Sequence, residues 1–174
     1  MKYYFLGFLF VFLDFNISLG YGGVVNLIPA FLGYAILFFA NRRFGHENGH
    51  FRRLRLFTVI AFVLSAAEFT LNLIALPLPK VVELVISVIM TVVALYIAYE
   101  FAEGAKELER SLYKKLDADK ISAAWIILSM TALLEFLVLY LPAVMLPCYL
   151  VHWLAVAWFE SAIFHFERKL LGKE

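Results

Sequence analysis

Six stretches of this chain are apolar over the length of a bilayer crossing, and no other feature restricts its folding as strongly. They cover roughly residues 3–19, 23–41, 56–77, 80–100, 121–141 and 143–166. A membrane-crossing helix needs about 17–25 mostly apolar residues, and each of the six qualifies. Hydrophobic residues make up 64% of the chain, against about 45–50% in a soluble domain. The expected fold is therefore all-α: a polytopic membrane protein with six transmembrane helices in one integral membrane domain, residues 1–174. The N-terminal run has one positive residue and a short apolar stretch, as a signal peptide does. It lacks a small-x-small cleavage site and reads as a retained first helix.

Three connectors, "GYGG" at 20–23, "LPLPK" at 76–80 and "LPAVMLP" at 141–147, are short and rich in Gly or Pro. Such residues suit tight turns between antiparallel helices, so the spans are expected as three helical hairpins. The other two connectors, 42–55 and 101–120, are longer and charged. Lys2, Arg42, Arg43, Arg52, Arg53, Arg55, Lys106, Arg110, Lys114, Lys115, Lys120, Arg168, Lys169 and Lys173 then fall on one side and Lys80 alone on the other. Basic loops stay cytoplasmic, which places both termini in the cytoplasm and the chain in the plasma membrane as a multi-pass protein. Net charge is only +1, so no strong field recruits nucleic acid. Cys148 is the single cysteine, which excludes an intrachain disulfide and a cysteine zinc site.

Within 101–120, Phe101, Ala105, Leu108, Leu112 and Leu116 recur at helical spacing. Glu103 with Lys106, and Glu107 with Arg110, can pair on the opposite face. This predicts a cytoplasmic amphipathic helix between spans four and five. It extends helix four along the membrane surface or docks a protein partner. Asp117 or Asp119 is expected to cap the fifth span.

Asp14, Glu68 and Glu135 lie inside the first, third and fifth spans. An Asp near the bilayer centre costs about 2.5–3.5 kcal/mol on insertion scales, so such acids face a bundle interior and mark function. Each precedes a Phe, and each lies about 18–23 Å inward from the nearest cytoplasmic charge at 1.5 Å per residue. The shared depth raises parallel internal repeats and a meeting of the three acids as expectations. Glu83, His152 and Glu160 add polar groups on the second helix of the later hairpins. For Asn26 and Asn72 interhelical hydrogen bonding is the favoured explanation. For the acids it is a weaker explanation, because Asn or Gln would do as well at lower cost.

The loop segment "HENGH" at 46–50 matches His-Glu-x-x-His, in which two histidines on one helical face bind zinc. Asn48-Gly49 is a turn signal between them, five arginines flank the loop, and no third ligand stands at a recognisable spacing. The match reads as accidental. No other enzyme motif is present, no metal site or cofactor is expected, and the chain reads as non-enzymatic.

Over Asp14, Phe15, Leu27, Ile28, Pro29, Phe31, Gly33 and Tyr34 the chain resembles a group of small multi-span membrane proteins of Gram-positive anaerobes. These carry an L-I-P-D-F-x-G-Y pattern. Ala30 stands where that pattern has Asp, and the resemblance implies a membrane location and little else. By size and topology the chain is also similar to the substrate-binding subunits of energy-coupling-factor vitamin transporters. Their first helix carries small-x-x-x-small faces, whereas this one offers only Gly7. The expected function is binding or translocation of a small solute or proton by Asp14, Glu68, Glu135, Glu83, His152 and Glu160. The alternative is a non-transporting scaffold or regulatory subunit working through 101–120.

Overall fold

Among the described residues, three of the six apolar stretches form helices long and apolar enough to cross a membrane. The computed structural model describes residues 3–12, 16–19, 23–26, 29–42, 48–74, 79–139 and 141–172. Helix α1 runs Tyr3–Phe12 and is followed by strands β1 (Asn16–Leu19) and β2 (Gly23–Asn26). Then come α2 (Ala30–Asn41), α3 (Gly49–Leu73), α4 (Lys80–Leu112) and α5 (Ala118–Glu135). Two 3-10 turns, Phe136–Leu139 and Pro142–Val144, lead into α6 (Met145–Leu170). The chain is thus overwhelmingly helical, and α3, α4 and α6 are its candidate membrane spans.

The expectation of six spans is corrected at the other three stretches. Helices α1 and α2 have 10 and 12 residues, about 15 and 18 Å of rise against a hydrocarbon core of about 30 Å. Between them β1 and β2 pair antiparallel, with Asn16 opposite Asn26 and Leu19 opposite Gly23. Ile17, Val24 and Val25 are β-branched, and a glycine-rich segment joins the strands. That composition serves a hairpin better than it serves helix ends. Helix α5 carries Asp119, Lys120 and Glu135 within its 18 residues, so its uncharged stretch is shorter than a crossing requires.

The helix ends have local causes. Asn48 is extended and its side chain accepts the Phe51 N–H at 2.9 Å, starting α3. Pro79 precedes α4, whose missing donor costs nothing there. Tyr113 ends α4 in the left-handed conformation. At α5 Asp117 holds the N-cap position without a side-chain capping bond, and Glu109 accepts the Ala118 N–H at 2.7 Å. Asp117 instead holds Lys120 and Lys169, each at 2.9 Å. These two ammonium groups lower its carboxyl to about 2.

Each helix packs on its sequence neighbours, and α6 closes on α1. Direct bonds gather alternating helix ends at one charged end of the bundle. Glu167 of α6 accepts the Tyr4 N–H of α1 at 3.2 Å. Asn41 of α2 bonds the Tyr4 hydroxyl and the Phe51 carbonyl, and Asn48 donates to the Gly104 carbonyl at 3.1 Å. Above these sits an aromatic core in which Tyr4, Phe8 and Phe166 all meet Phe101. Towards the other end burial falls away. Val81, Val85, Leu146 and Leu154 are all more than half exposed, the pattern of surface covered by lipid.

Residues 101–112 continue α4 without a break. Phe101, Ala105 and Leu108 are buried in the bundle together with Leu116, and Lys106 pairs with Glu103 at 2.8 Å. The stripe seen in the sequence therefore faces this chain's own helices, apart from Leu112, which is half exposed.

Candidate functional site

The last amphipathic stripe of the chain carries two acids where apolar residues belong. On α6, Val156, Phe159, Ile163 and Phe166 are buried at helical spacing. Glu160 and Glu167 occupy positions of the same stripe and are 4% and 6% exposed. Seven residues apart, they sit one above the other about 10 Å along the helix, on the face towards α1. Glu167 uses one oxygen for the Tyr4 N–H. Glu160 uses neither: both its oxygens are buried without a hydrogen-bond partner among the described residues.

Glu160 lines an open groove of about 450 Å³ between α1 and α6, whose walls include Phe5, Leu9, Trp153 and Phe164. A carboxylate removed from water without a partner is strongly disfavoured, by several kcal/mol after relaxation. Such a group must hold a proton or attract a cation. Most buried polar atoms in folded proteins are bonded, so an exception of this kind calls for a reason beyond packing.

A second acid meets a histidine at the far end of the hairpin of α5 and α6. Thr131 and Glu135 are one turn apart on α5 and both face His152 of α6. The Thr131 hydroxyl oxygen lies 3.2 Å from His152 Nδ1, and Glu135 Oε1 lies 3.9 Å from it. The hydroxyl donates to the Leu128 carbonyl at 2.9 Å. That pattern assigns the imidazole proton to Nδ1, donating to Thr131, and leaves Nε2 with its lone pair. The Glu135 carboxylate stands on the Nδ1 side of the ring, and the free Nε2 can take up and release a proton.

The remaining expected residues are dispersed. Asp14 lies outside the described residues. Glu68 is half-buried on α3. Glu83 is exposed in the first turn of α4, where a negative charge favours the positive end of the helix dipole. Glu135 and His152 are brought together, while Glu68 and Glu160 have other neighbours. From His152 to Glu160 is about 12 Å along α6.

Sequence reasoning passed over the buried acid Glu100 of α4, which is 2% exposed. Arg53 Nε donates to its Oε1 at 2.9 Å, the Tyr96 hydroxyl donates to the same oxygen, and His50 Nδ1 lies 2.7 Å from Oε2. Three donors satisfy this carboxylate and staple the start of α3 to α4. Its signal was present: Tyr96 stands one turn before it, at the point where α4 turns from apolar to charged. The same geometry explains HENGH. The helix begins after Asn48, inside the motif, and His50 in its first turn faces Glu100, while His46 lies outside the described residues. Among the described residues no group of three or more His, Cys, Asp or Glu is placed to hold a metal ion. No protein-family model, curated protein or solved structure matches this chain.

Proposed function

We propose that the chain is a multi-pass plasma-membrane protein that binds or passes a proton or a small solute at acids of its helical bundle. Glu160 is the central group, with Glu135 and His152 as a second proton-accepting pair. Asp14, Glu68 and Glu83 are further members of the acid set. The orientation that places both termini in the cytoplasm rests on the sequence pattern alone, which assigns fourteen basic residues to one side and Lys80 to the other. Glu160 carries the reading: a buried carboxyl with neither oxygen bonded among the described residues contributes nothing evident to packing that Met or Leu would not supply better. Its retention fits a group whose proton or counter-ion is exchanged.

The test is proton entry into sealed proteoliposomes carrying an internal pH-sensitive dye, driven by a potassium diffusion potential. Wild type should acidify the lumen, and Glu160→Gln should reduce the rate at least tenfold at equal protein incorporation. Equal rates for the two proteins refute the assignment to Glu160. A wild type no faster than empty liposomes refutes the proton reading. The scaffold alternative draws on Tyr113, 98% exposed beside Lys114 and Lys115 at the tip of α4. It predicts that Tyr113→Ala disables the protein while acid variants do not.

A further inference from the structure

At the charged end of the bundle a second acid faces a different cavity. Six aromatic rings, from Tyr3, Tyr4, Phe39, Phe51, Phe101 and Phe166, surround a space of about 240 Å³ together with Glu167. Tyr4, Phe51, Phe101 and Phe166 are buried and form its floor, whereas Tyr3 and Phe39, 56% and 67% exposed, stand at its mouth. Among the described residues, Glu167 is the only charged one in the lining. Its Oε1 accepts the Tyr4 N–H, but its Oε2 is buried and has no hydrogen-bond partner among the described residues. The basic residues beside it in sequence are engaged elsewhere: Lys169 with Asp117 at 2.9 Å, and Arg168 over the Phe164 ring.

We propose that this cavity is a binding site for a small organic ammonium ion, with Glu167 as counter-charge and the surrounding rings as a cage. Aromatic faces carry negative quadrupole potential and attract a cation within about 6 Å of the ring centre, most strongly when water is excluded. A quaternary or alkylated amine suits such a box better than an inorganic cation. Its methyl groups are weakly hydrated and lose little on meeting Phe and Tyr, and its charge needs only one carboxylate. A neutral apolar ligand would leave Glu167 Oε2 unanswered. A free metal ion would require several oxygen ligands, where the lining offers one carboxylate. The site stands apart from the Glu160 assignment and does not depend on it.

The probe is tetramethylammonium chloride, added to the purified full chain in detergent and followed by thermal unfolding. Sodium chloride at equal concentration controls for ionic strength, and tert-butanol supplies a neutral body of similar shape. The expected result is a saturable upward shift of Tm with tetramethylammonium alone, its midpoint at least tenfold higher in concentration for Glu167→Gln. Gln keeps an oxygen for the Tyr4 N–H, so the variant is expected to fold. Should it not, Phe39→Leu at the exposed mouth tests the cage and should weaken the shift severalfold. Equal shifts from tetramethylammonium and tert-butanol, or an undiminished shift in both variants, overturn the proposal.

Discussion

Gly33→Ala should loosen the contact between α1 and α2, and the structure sets the size of the effect. A Cβ at Gly33 would lie 2.6 Å from the Gly7 carbonyl oxygen and 2.9 Å from side-chain atoms of Phe10 and Val11. Ordinary contact begins near 3.4 Å, so α1 must retreat by about 0.8 Å at a point where backbone meets backbone. No rotamer can relieve that contact. Intrinsic helix propensity favours Ala over Gly by about 1 kcal/mol, while overpacking costs about 1–3 kcal/mol. Because the obstacle is a carbonyl, the upper part of that range applies, and the net loss should be about 1–2 kcal/mol. Two other glycines calibrate the scale. At Gly104 a Cβ would press on the Phe51 ring at 3.3 Å, which a small ring shift relieves, and at Gly49 it would meet nothing within 4 Å. The expected order of stability is Gly49→Ala, then Gly104→Ala, then Gly33→Ala, by denaturant titration in mixed micelles with tryptophan fluorescence as readout. A Gly33→Ala protein as stable as wild type, or less harmed than Gly104→Ala, refutes the close-packing argument.

Glu100→Gln removes the charge that holds Arg53 and His50, and should destabilise by about 2–3 kcal/mol in the same titration. A loss under about 0.5 kcal/mol would mean that the staple is solvated and carries little. Asp117 makes acid stability informative. Its folded-state carboxyl, near 2, lies below the ordinary 3.8. The Lys120 and Lys169 pairs therefore stabilise fully above about pH 4, and that contribution fades as pH falls towards 2. Asp117→Asn should flatten the stability profile across that window, and an unchanged profile would show the pairs to be too exposed to matter.

The long helices were legible because length and hydropathy decide them: α3, α4 and α6 coincide with strongly apolar stretches bounded by Asn48, by Pro79 and by the basic tail. The first two stretches misled for a physical reason. Ile17, Val24 and Val25 are as hydrophobic as Leu, so a hydropathy scan reads a β-hairpin of such residues as part of a span. The acid stripe on α6 was half legible. Glu160 stood out as a charge in an apolar run, but its partner by spacing is Glu167, seven residues on, which its place among terminal charges disguised. The meeting of Glu135 with His152 across 17 residues depends on how α5 and α6 pack, which local pattern does not specify. Glu100 looked like the first of a solvated charged run. Its burial follows from Arg53 and His50, 47 and 50 residues away.

The measurement that bears hardest on the acid-site reading is the unfolding free energy of Glu160→Met against wild type, at neutral pH in lipid bicelles. Met matches the length of Glu, fills the stripe and needs no hydrogen bond. If Glu160 is retained for an exchangeable proton or cation, the variant should equal wild type or exceed it by about 1–2 kcal/mol, as replacing an unsatisfied buried group does. A loss of about 2 kcal/mol or more would show that the carboxyl has a structural partner, and the functional reading of Glu160 would fall with it.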